Sequence, residues 1–417
     1  MSKISALGRI PRRTILRAGV AAGALQIASP FILTARGETP VKIGMVNPLT
    51  GVLSALAQSE VDGAKYAEAE LNKKGGILGR PVELLVEDSA NDVGTGVQKT
   101  RKLIDRDQVN VILGDVNSGI AAAMGQVTNE KKVFHIVPGG HTDTITGTDC
   151  HWNVFRVCNT TSMDTAAITP ELVKRFGKKW FFVTPDYAYG HSLQDGFIKA
   201  LKKLGGTYDG DYLPINNQDF SATLIKAKGY KPDVLLNNMG GLTQINCMKQ
   251  VVQFGLQKDM ALGGALFELE SVKACPPDAQ TGWWAMEWWW NQPNVPEAVK
   301  FVADFRAATK KTPSARDWFG YVAMHSVRLA AERAKSLEGP KMAKAMEDME
   351  LPPEVALQPG KVRYRAGDHE LMPNIFVGQA HPPKSGPDDV FTASTLVSGE
   401  QAAGSVADTG CKMVEPS

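Results

Sequence analysis

Hydrophobic and polar residues follow one another along the chain in blocks that predict a repeated strand–helix order. Four short apolar runs end in turn-forming residues, which indicates buried strands: VKIGMVNP (41–48), PVELLVEDS (81–89), VNVILGD (109–115) and VFHIVPGG (133–140). The segment SALAQSEVDGAKYAEAELN (54–72) places its apolar residues three and four positions apart, which is typical of an amphipathic helix. Strands that alternate with helices favour a parallel sheet with helices on both faces.

The same order begins again near residue 158. KKWFFVTPD (178–186), PDVLLNNMG (232–240) and MALGGAL (260–266) read as strands, and helical patterns separate them. About 380 residues follow the first 37, which is too many for one ordinary hydrophobic core. The pattern therefore predicts an α/β fold with two doubly wound lobes.

Two segments near the carboxyl terminus have patterns of their own. GKVRYRAGDHELMPNIFVGQ (360–379) alternates as a β-hairpin does. Residues 382–417 are rich in Pro, Gly and Ser, which predicts a C-terminal tail that wraps the surface or is loose.

The first 37 residues have the order of an export signal. A basic start precedes an Ala-, Gly- and Leu-rich stretch, and Ala35 and Gly37 are small residues suited to cleavage. Arg12 and Arg13, followed by an apolar pair, resemble the twin-arginine export signal, which implies delivery of a folded protein to the periplasm. An N-terminal anchor helix is the alternative, although the stretch is shorter than the roughly 20 apolar residues of a membrane span.

The net charge changes sign when the predicted export signal is left out. The whole chain has a net charge of +2, and residues 1–37 contain six basic residues and no acid, so the remainder carries −4. A mildly acidic protein lacks the basic surface that nucleic acid or anionic lipid requires. No later stretch is long and apolar enough to span a bilayer.

The five cysteines fit a sparse disulfide framework with one thiol left over. If HWNVFRV (151–157) is a strand, Cys150 and Cys158 lie too far apart for a bond. Cys247 with Cys275 is a possible pair, and Cys411 lies in the predicted tail. The sequence assigns no pairing.

Motifs of catalysis are missing. The chain has no GxxxxGK[ST], no GxGxxG after a strand, no HExxH and no CxxC, and its seven histidines lack ligand spacing. Gly190-His191-Ser192 begins like a nucleophile elbow, but Gln194 replaces the final glycine. These absences favour a binding protein over an enzyme, with no metal and no cofactor predicted.

Ligands of such folds bind beyond the carboxyl ends of the strands. The loops in that position are GDVNSG (114–119), PGGHTD (138–143), PDYAYG (185–190), MGGLTQ (239–244) and GALFEL (264–269). In the first of them, Ser118 can offer a hydroxyl and backbone N–H groups to an anion, or it can serve as an ordinary N-cap.

These segments occur in an order that resembles a known family. The matching motifs are NPLTG (47–51), LNKKGGILGRPVELLVEDS (71–89), ILGDVNS (112–118), VPGG (137–140), VFR (154–156), DYAYG (186–190), DFSATL (219–224), PDVLL (232–236), MGG (239–241) and FVADFRAATKKTPS (301–314). From about Val41 to about Ala380 the chain resembles the solute receptors of ABC importers in the branched-chain amino acid (Leu/Ile/Val-binding) family.

The resemblance implies a type I periplasmic binding fold, in which a three-crossover hinge joins two lobes around a ligand cleft. It implies lobe 1 at 41–157 and 288–350, lobe 2 at 158–287 and 351–381, and a tail at 382–417. It also implies an inner-membrane ABC permease as partner and a periplasmic, monomeric receptor that is not itself membrane-spanning.

The resemblance also assigns the ligand site. The family's carboxylate-binding serine corresponds to Ser118, the next loop contributes Gly139 and His141, and the family's acid that grips an α-ammonium corresponds to Ala265. The full set of predicted ligand-binding residues is Leu56, Val116, Asn117, Ser118, Gly139, Gly140, His141, Tyr187, Tyr189, Leu242, Ala265 and Phe267.

Ala265 decides the expected ligand, because a buried ammonium without a paired carboxylate costs several kcal/mol. We expect a small carboxylate, and an aromatic or hydrophobic acid rather than an α-amino acid. Glu268 or Glu270 could still supply the missing acid, so a branched-chain amino acid receptor is an alternative function. An amide- or urea-class sensor of the same fold is a further alternative. The tryptophans of GWWAMEWWW (282–290) are expected mainly in core and hinge packing.

Replacing Arg12 and Arg13 together by lysine tests the export signal. We expect full-length precursor to accumulate in the cytoplasm, because the arginine pair carries the resemblance to the twin-arginine signal. Cell fractionation with an immunoblot measures this, and normal periplasmic accumulation of the double variant would contradict it.

Overall fold

Two β-sheets organise the chain in this computed structural model, which describes residues 39–414; the predicted export signal lies outside the described residues. The strands are β1 (Val41–Asn47), β2 (Val82–Asp88), β3 (Val111–Gly114), β4 (Phe134–Val137), β5 (Val154–Arg156), β6 (Lys179–Pro185), β7 (Thr207–Leu213), β8 (Val234–Asn237), β9 (Ala261–Leu266), β10 (Trp283–Met286), β11 (Ile375–Ala380) and β12 (Phe391–Val397). Within 39–414 no helix has both the length and the apolar character that a membrane crossing needs.

The α-helices lie between and after these strands. They are α1 (Ser54–Lys73), α2 (Val93–Asp105), α3 (Ser118–Glu130), α4 (Thr161–Phe176), α5 (Ala188–Lys203), α6 (Ser221–Tyr230), α7 (Gly241–Gln253), α8 (Leu269–Ala274), α9 (Pro296–Thr309), α10 (Ala315–Ala334), α11 (Gly339–Met346), α12 (Pro353–Ala356), α13 (Gly399–Ala403) and α14 (Val406–Thr409).

The first sheet is parallel throughout and has the order β2-β1-β3-β4-β5. Its central strands β3 and β4 are buried along their whole length, as expected for strands covered by helices on both faces. With its helices this sheet forms lobe 1. Helix α10 packs along α1, and Gly320 permits the close approach, because a Cβ there would lie 2.0 Å from the carbonyl oxygen of Glu60.

The second sheet has the order β12-β11-β10-β9-β8-β6-β7 and forms lobe 2 with its helices. Strands β6 to β10 pair in parallel, whereas β11 and β12 add antiparallel strands at one edge. Phe181 and Phe182 on β6 face opposite sides of the sheet and are both fully buried. The observed alternation agrees with the two α/β lobes that the sequence predicts.

The third passage between the lobes differs from the predicted boundary at residue 350. Val355, Val362 and Leu371 are fully buried in the core of the first sheet, so the chain stays with lobe 1 until Leu371 and joins lobe 2 at β11. The short apolar stretches of residues 351–371 could pack in the core of either lobe, so the sequence pattern does not show to which lobe this segment belongs.

The carboxyl-terminal region also differs from the sequence pattern. The hairpin predicted over 360–379 is absent; that stretch contains isolated bridges such as Tyr364 with Leu371, and only its end forms β11. The partner of β11 is β12, which lies in the predicted tail at 382–417. Phe391 is buried in the second core and anchors this strand.

A disulfide joins Cys150 to Cys411, and Cys158, Cys247 and Cys275 are free and buried. The C-terminal strap, defined as residues 398–411, therefore runs from the edge of the lobe 2 sheet to a loop of lobe 1. Its helix α13 packs on α4. The pairing was not predictable, because its two cysteines are 261 residues apart in the sequence.

Replacing Cys411 by serine should release the strap and leave the lobes folded. The strap contributes Ala402 to a core but few other buried apolar residues, so its loss should expose protease sites after Val397. We expect the melting temperature to fall by less than about 4 °C. Limited proteolysis and a thermal melt measure both effects, reduction of the unmodified protein should reproduce them, and an unchanged digestion pattern would contradict them.

Candidate functional site

A narrow cavity lies where the carboxyl ends of strands from both sheets meet. The space it leaves for solvent is about 20 Å³, which is room for about one water molecule. Its lining residues are Leu53, Leu56, Val116, His141, Tyr187, Tyr189, Met239, Gly240, Leu266, Glu268 and Arg316. Most of them follow β1, β3, β4, β6, β8 and β9, which is the expected position of a ligand site in doubly wound sheets.

Five of the predicted ligand-binding residues line this cavity: Leu56, Val116, His141, Tyr187 and Tyr189. They come from both lobes and are largely apolar or aromatic. The side chains of Leu56 and Val116 are almost fully buried at the start of α1 and after β3. The cavity therefore has an apolar wall from lobe 1 and a wall of two phenols from lobe 2.

Arg316 is the charged centre of the cavity and comes from the first turn of α10. Its Nη1 donates to Glu60 Oε1 at 3.0 Å, and its Nε and Nη2 donate to Glu268 Oε1 at 3.0 and 2.6 Å. Glu60 belongs to α1, whereas Glu268 follows β9, so this three-residue network joins lobe 1 to lobe 2. The Nη1 group also donates to the carbonyl oxygen of Gly139 at 3.2 Å.

Burial and charge pull the pKa values of this network in opposite directions. Burial raises the pKa of Glu60, although the Arg316 guanidinium and a hydrogen bond from Asn47 oppose the rise. Burial alone would lower the pKa of Arg316, but the carboxylates of Glu268 and Glu60 outweigh it, so that pKa is raised well above its usual value. Arg316 is therefore charged at any physiological pH.

A second polar pair lies beside the first. The Nε2 atom of His141 lies 2.7 Å from Glu287 Oε2, and the other oxygen of Glu287 accepts the backbone N–H of Asn159 at 2.6 Å. Glu287 comes directly after β10, where the chain leaves lobe 2. The His141 ring also contacts Tyr189 of lobe 2, with ring centroids 5.9 Å apart. His141 thus connects lobe 1, lobe 2 and a crossing segment.

The predicted loop residues Asn117, Ser118, Gly139 and Gly140 lie behind the cavity wall and are not among its lining residues. Asn117, not Ser118, is the N-cap of α3, because its side chain accepts the N–H of Gly119 at 2.9 Å. The Ser118 hydroxyl oxygen accepts the N–H groups of His141 and Thr142 at 3.1 and 3.2 Å. Ser118 therefore positions the loop that carries His141.

Leu242, Ala265 and Phe267 lie elsewhere. Leu242 is 47% exposed on the surface. Ala265 is buried in a core of lobe 2, and Phe267 packs on Trp284 with ring centroids 4.7 Å apart. Glu268, three residues after Ala265, is the acid that reaches the cavity. Glu270 is not among the lining residues of this cavity.

Sequence reasoning missed Glu60, Glu287 and Arg316. A signal for Glu60 exists, since it stands one helical turn from Leu56 and Ala64 on the apolar face of α1, where a charge is out of place. Arg316 had no such signal, because it belongs to a lobe 1 helix that begins far along the chain. The tryptophans 283, 284, 288 and 289 are buried in the cores and none lines the cavity.

Replacing Gly139 by alanine should disrupt the ion network. The added Cβ would lie 1.9 Å from Glu60 Oε1 and 2.4 Å from Arg316 Nη1, so the pair must separate inside the protein. Breaking a buried pair costs about 3 kcal/mol or more of the free energy of unfolding. Denaturant unfolding measures it. Gly119→Ala is the control, since its Cβ meets nothing closer than 3.4 Å, and equal stability of the two variants would contradict the expectation.

The sequence matches known proteins over most of its length. The model of the periplasmic binding protein family matches residues 40–387. The Leu/Ile/Val-binding protein BraC3 of Rhizobium johnstonii is 32% identical over 198 residues, which span 47% of this chain and 53% of that protein. Leu/Ile/Val-binding protein homolog 2 of Brucella abortus is 27% identical over 328 residues, which span 76% of this chain and 85% of that protein.

Solved structures have the same fold. A periplasmic binding protein from Burkholderia mallei matches with a TM-score of 0.83 and 26% identity, covering 89% of this chain and 98% of its own. A solute-binding protein of an R. palustris ABC transporter, solved in complex with benzoate, matches with a TM-score of 0.78 and 22% identity, covering 90% of this chain and all of its own. With this fold and a cavity between its two lobes, the chain belongs to the periplasmic binding protein family, has the type I fold, and is similar to relatives named Leu/Ile/Val-binding proteins.

Proposed function

We propose that this protein is a periplasmic receptor that holds a small hydrophobic carboxylate between its lobes and delivers it to an inner-membrane ABC permease. The observation that carries the proposal is Arg316, a buried guanidinium at a cavity whose other walls are mainly apolar. Guanidinium groups bind carboxylates through two parallel hydrogen bonds, which gives both affinity and orientation.

The position of a ligand carboxylate follows from the contacts of Arg316. Its Nε and Nη2 edge already donates two hydrogen bonds to one carboxylate oxygen, that of Glu268. A ligand carboxylate would take this edge when Glu268 turns away, while Glu60 holds the other side of the guanidinium. Exchange of one carboxylate for another keeps the buried charge of Arg316 compensated, so it avoids the cost of an unpaired ion.

The remaining walls suit an apolar or aromatic body. Leu53, Leu56, Val116, Met239 and Leu266 offer hydrophobic contacts. Tyr187 and Tyr189 add ring faces and hydroxyl groups that can orient a planar ligand. The benzoate complex of the R. palustris protein supports an aromatic acid as the first class to test.

A second candidate is a branched-chain amino acid, and one observation favours it. Glu268 lines the cavity, so it can pair with an α-ammonium in place of the acid that the family has at the position of Ala265. The relatives named Leu/Ile/Val-binding proteins point the same way. The two candidates assign Glu268 opposite effects on affinity.

Glu268→Gln separates the two candidates. For a simple acid, removing a competing carboxylate from Arg316 should tighten binding by about tenfold or more, because a hydrogen bond between charged groups is worth about 1.5–3 kcal/mol. For an amino acid, the same change removes the partner of the ammonium and should weaken binding by a similar factor. Calorimetry with a benzoate series and with leucine, isoleucine and valine measures both.

Glu270→Gln is the matched control, since Glu270 lies in the same segment but does not line the cavity. The affinities of Glu270→Gln for the benzoate series and for the amino acids should equal those of the unmodified protein. Tight leucine binding that falls in Glu268→Gln would replace the aromatic-acid proposal by the amino acid one. If neither ligand class binds the unmodified protein, the carboxylate proposal is contradicted.

A further inference from the structure

Three side chains with metal-binding atoms meet beside the cavity. They are His141, Cys158 and Glu287, and their ligand atoms all lie within 4.8 Å of one another. All three are buried. Each follows the end of a different strand: His141 comes after β4, Cys158 after β5 and Glu287 after β10. Short, ordered segments thus hold the three groups together.

Two residues connected to this cluster carry buried polar atoms without hydrogen-bond partners. Among residues 39–414, both side-chain polar atoms of Asn159 and both carboxylate oxygens of Asp164 are buried and have no hydrogen-bond partner. Asn159 is next to Cys158 in the chain, and its backbone N–H donates to Glu287. Asp164 also interacts electrostatically with Glu287. Native proteins rarely bury such groups without a partner, a water molecule or an ion.

The cations nearby are already engaged. Arg156 donates from Nε to Glu370 at 2.7 Å, and Arg316 is paired with Glu60 and Glu268. Within residues 39–414, the hydrogen-bond partners of the Glu287 carboxylate are His141 and the backbone N–H of Asn159, and no arginine or lysine forms a direct ion pair with it. The centre of the molecule therefore has more carboxylates than cations, and a divalent cation would correct the imbalance.

We infer that His141, Cys158 and Glu287 form a binding site for Zn²⁺ or a similar borderline divalent ion, with a fourth coordination position that faces the ligand cavity. One nitrogen, one sulfur and one oxygen are the ligand types that Zn²⁺ accepts, and three protein ligands leave one position open. His141 lines the cavity, so the open position lies next to it.

The charge of the bound ion is compensated by its protein ligands. The Cys158 thiol gives up its proton to solvent and binds as thiolate, while Glu287 binds as carboxylate, so the two negative charges neutralise the ion. At normal bond lengths to zinc the ligand atoms lie about 3.3–3.8 Å apart. Ligand atoms that are now up to 4.8 Å apart would therefore approach by about 1–1.5 Å, and His141 Nε2 and Glu287 Oε2, now 2.7 Å apart, would separate by about 0.6 Å. Small rotations of the side chains suffice for this.

This inference rests on the proposed function in one respect only: the carboxylate or another oxygen of the ligand would fill the fourth position. Metal binding itself does not require the ligand. A metal at this place would help to select ligands with an oxygen donor next to the group that Arg316 holds.

Cobalt titration of the tag-free protein tests the site, because Co²⁺ replaces Zn²⁺ and its bond to a thiolate absorbs in the near ultraviolet. We expect one equivalent of Co²⁺ to produce this charge-transfer band and Zn²⁺ to abolish it. Cys158→Ser should lose the band. Cys247→Ser, which changes another buried free thiol, should retain it.

X-ray absorption of the Co²⁺-loaded unmodified protein gives a second measurement that needs no variant, and it should show one sulfur ligand. Absence of the band in the unmodified protein, or a band that persists in Cys158→Ser, would overturn the inference. Calorimetry of the carboxylate after treatment with a chelator tests the receptor separately. If the protein binds the carboxylate but gives no cobalt band, the metal site is contradicted and the proposed function is not. If the cobalt band forms but no carboxylate binds, only the proposed ligand is contradicted.

Discussion

The buried charge of Arg316 is the constraint on which the centre of this protein depends. A guanidinium that is 3% exposed must be compensated, and Glu60 and Glu268 do so from opposite lobes. Three other features of the structure accompany this network of Arg316, Glu60 and Glu268. Helices α1 and α10 pack closely at the height of Glu60, Asn47 at the end of β1 donates to the same carboxylate, and the position of Gly139 leaves no room for a side chain. The ion network, the interlobe contact and the cavity wall are therefore one structure.

A second buried arginine supports the loop that shapes the cavity. Arg156, at the end of β5, donates to the carbonyl oxygens of Gly140 and Thr142 at 3.2 and 2.5 Å and to the carboxylate of Glu370. Burial raises the pKa of Glu370 to about 7 although Arg156 opposes the rise. The loop that carries His141 is thus fixed from behind by Arg156 and Ser118. The buried arginines 156 and 316 and their glutamate partners thus lie near the crossings between the lobes, while hydrophobic clusters of each lobe lie on either side.

Several contacts near the crossing region join the two lobes. The second crossing carries Glu287, which binds His141 of lobe 1, and Glu268 of lobe 2 binds Arg316 of lobe 1. In addition to the three passages of the chain, the C-terminal strap links the lobes, because it follows β12 of lobe 2 and ends at the bond between Cys411 and Cys150 of lobe 1. Under the proposed function, a ligand carboxylate that competes with Glu268 for Arg316 would therefore act on a contact between the lobes.

The sequence by itself determined the two α/β lobes and the loops that form the cavity, because strand and helix periodicity is local and the carboxyl ends of parallel strands meet at one edge. Val116, His141, Tyr187 and Tyr189 lie in loops that this reasoning named, whereas Leu56 was assigned only through the family resemblance. Only the tertiary structure decided that Glu268 and not Ala265 lines the cavity, that Arg316 enters it, that residues 351–371 stay with lobe 1, and that Cys411 bonds to Cys150. Each of these depends on contacts between residues that are distant in the chain. A local pattern of hydrophobicity or spacing does not show which distant residue a buried charge, an apolar stretch or a thiol will contact.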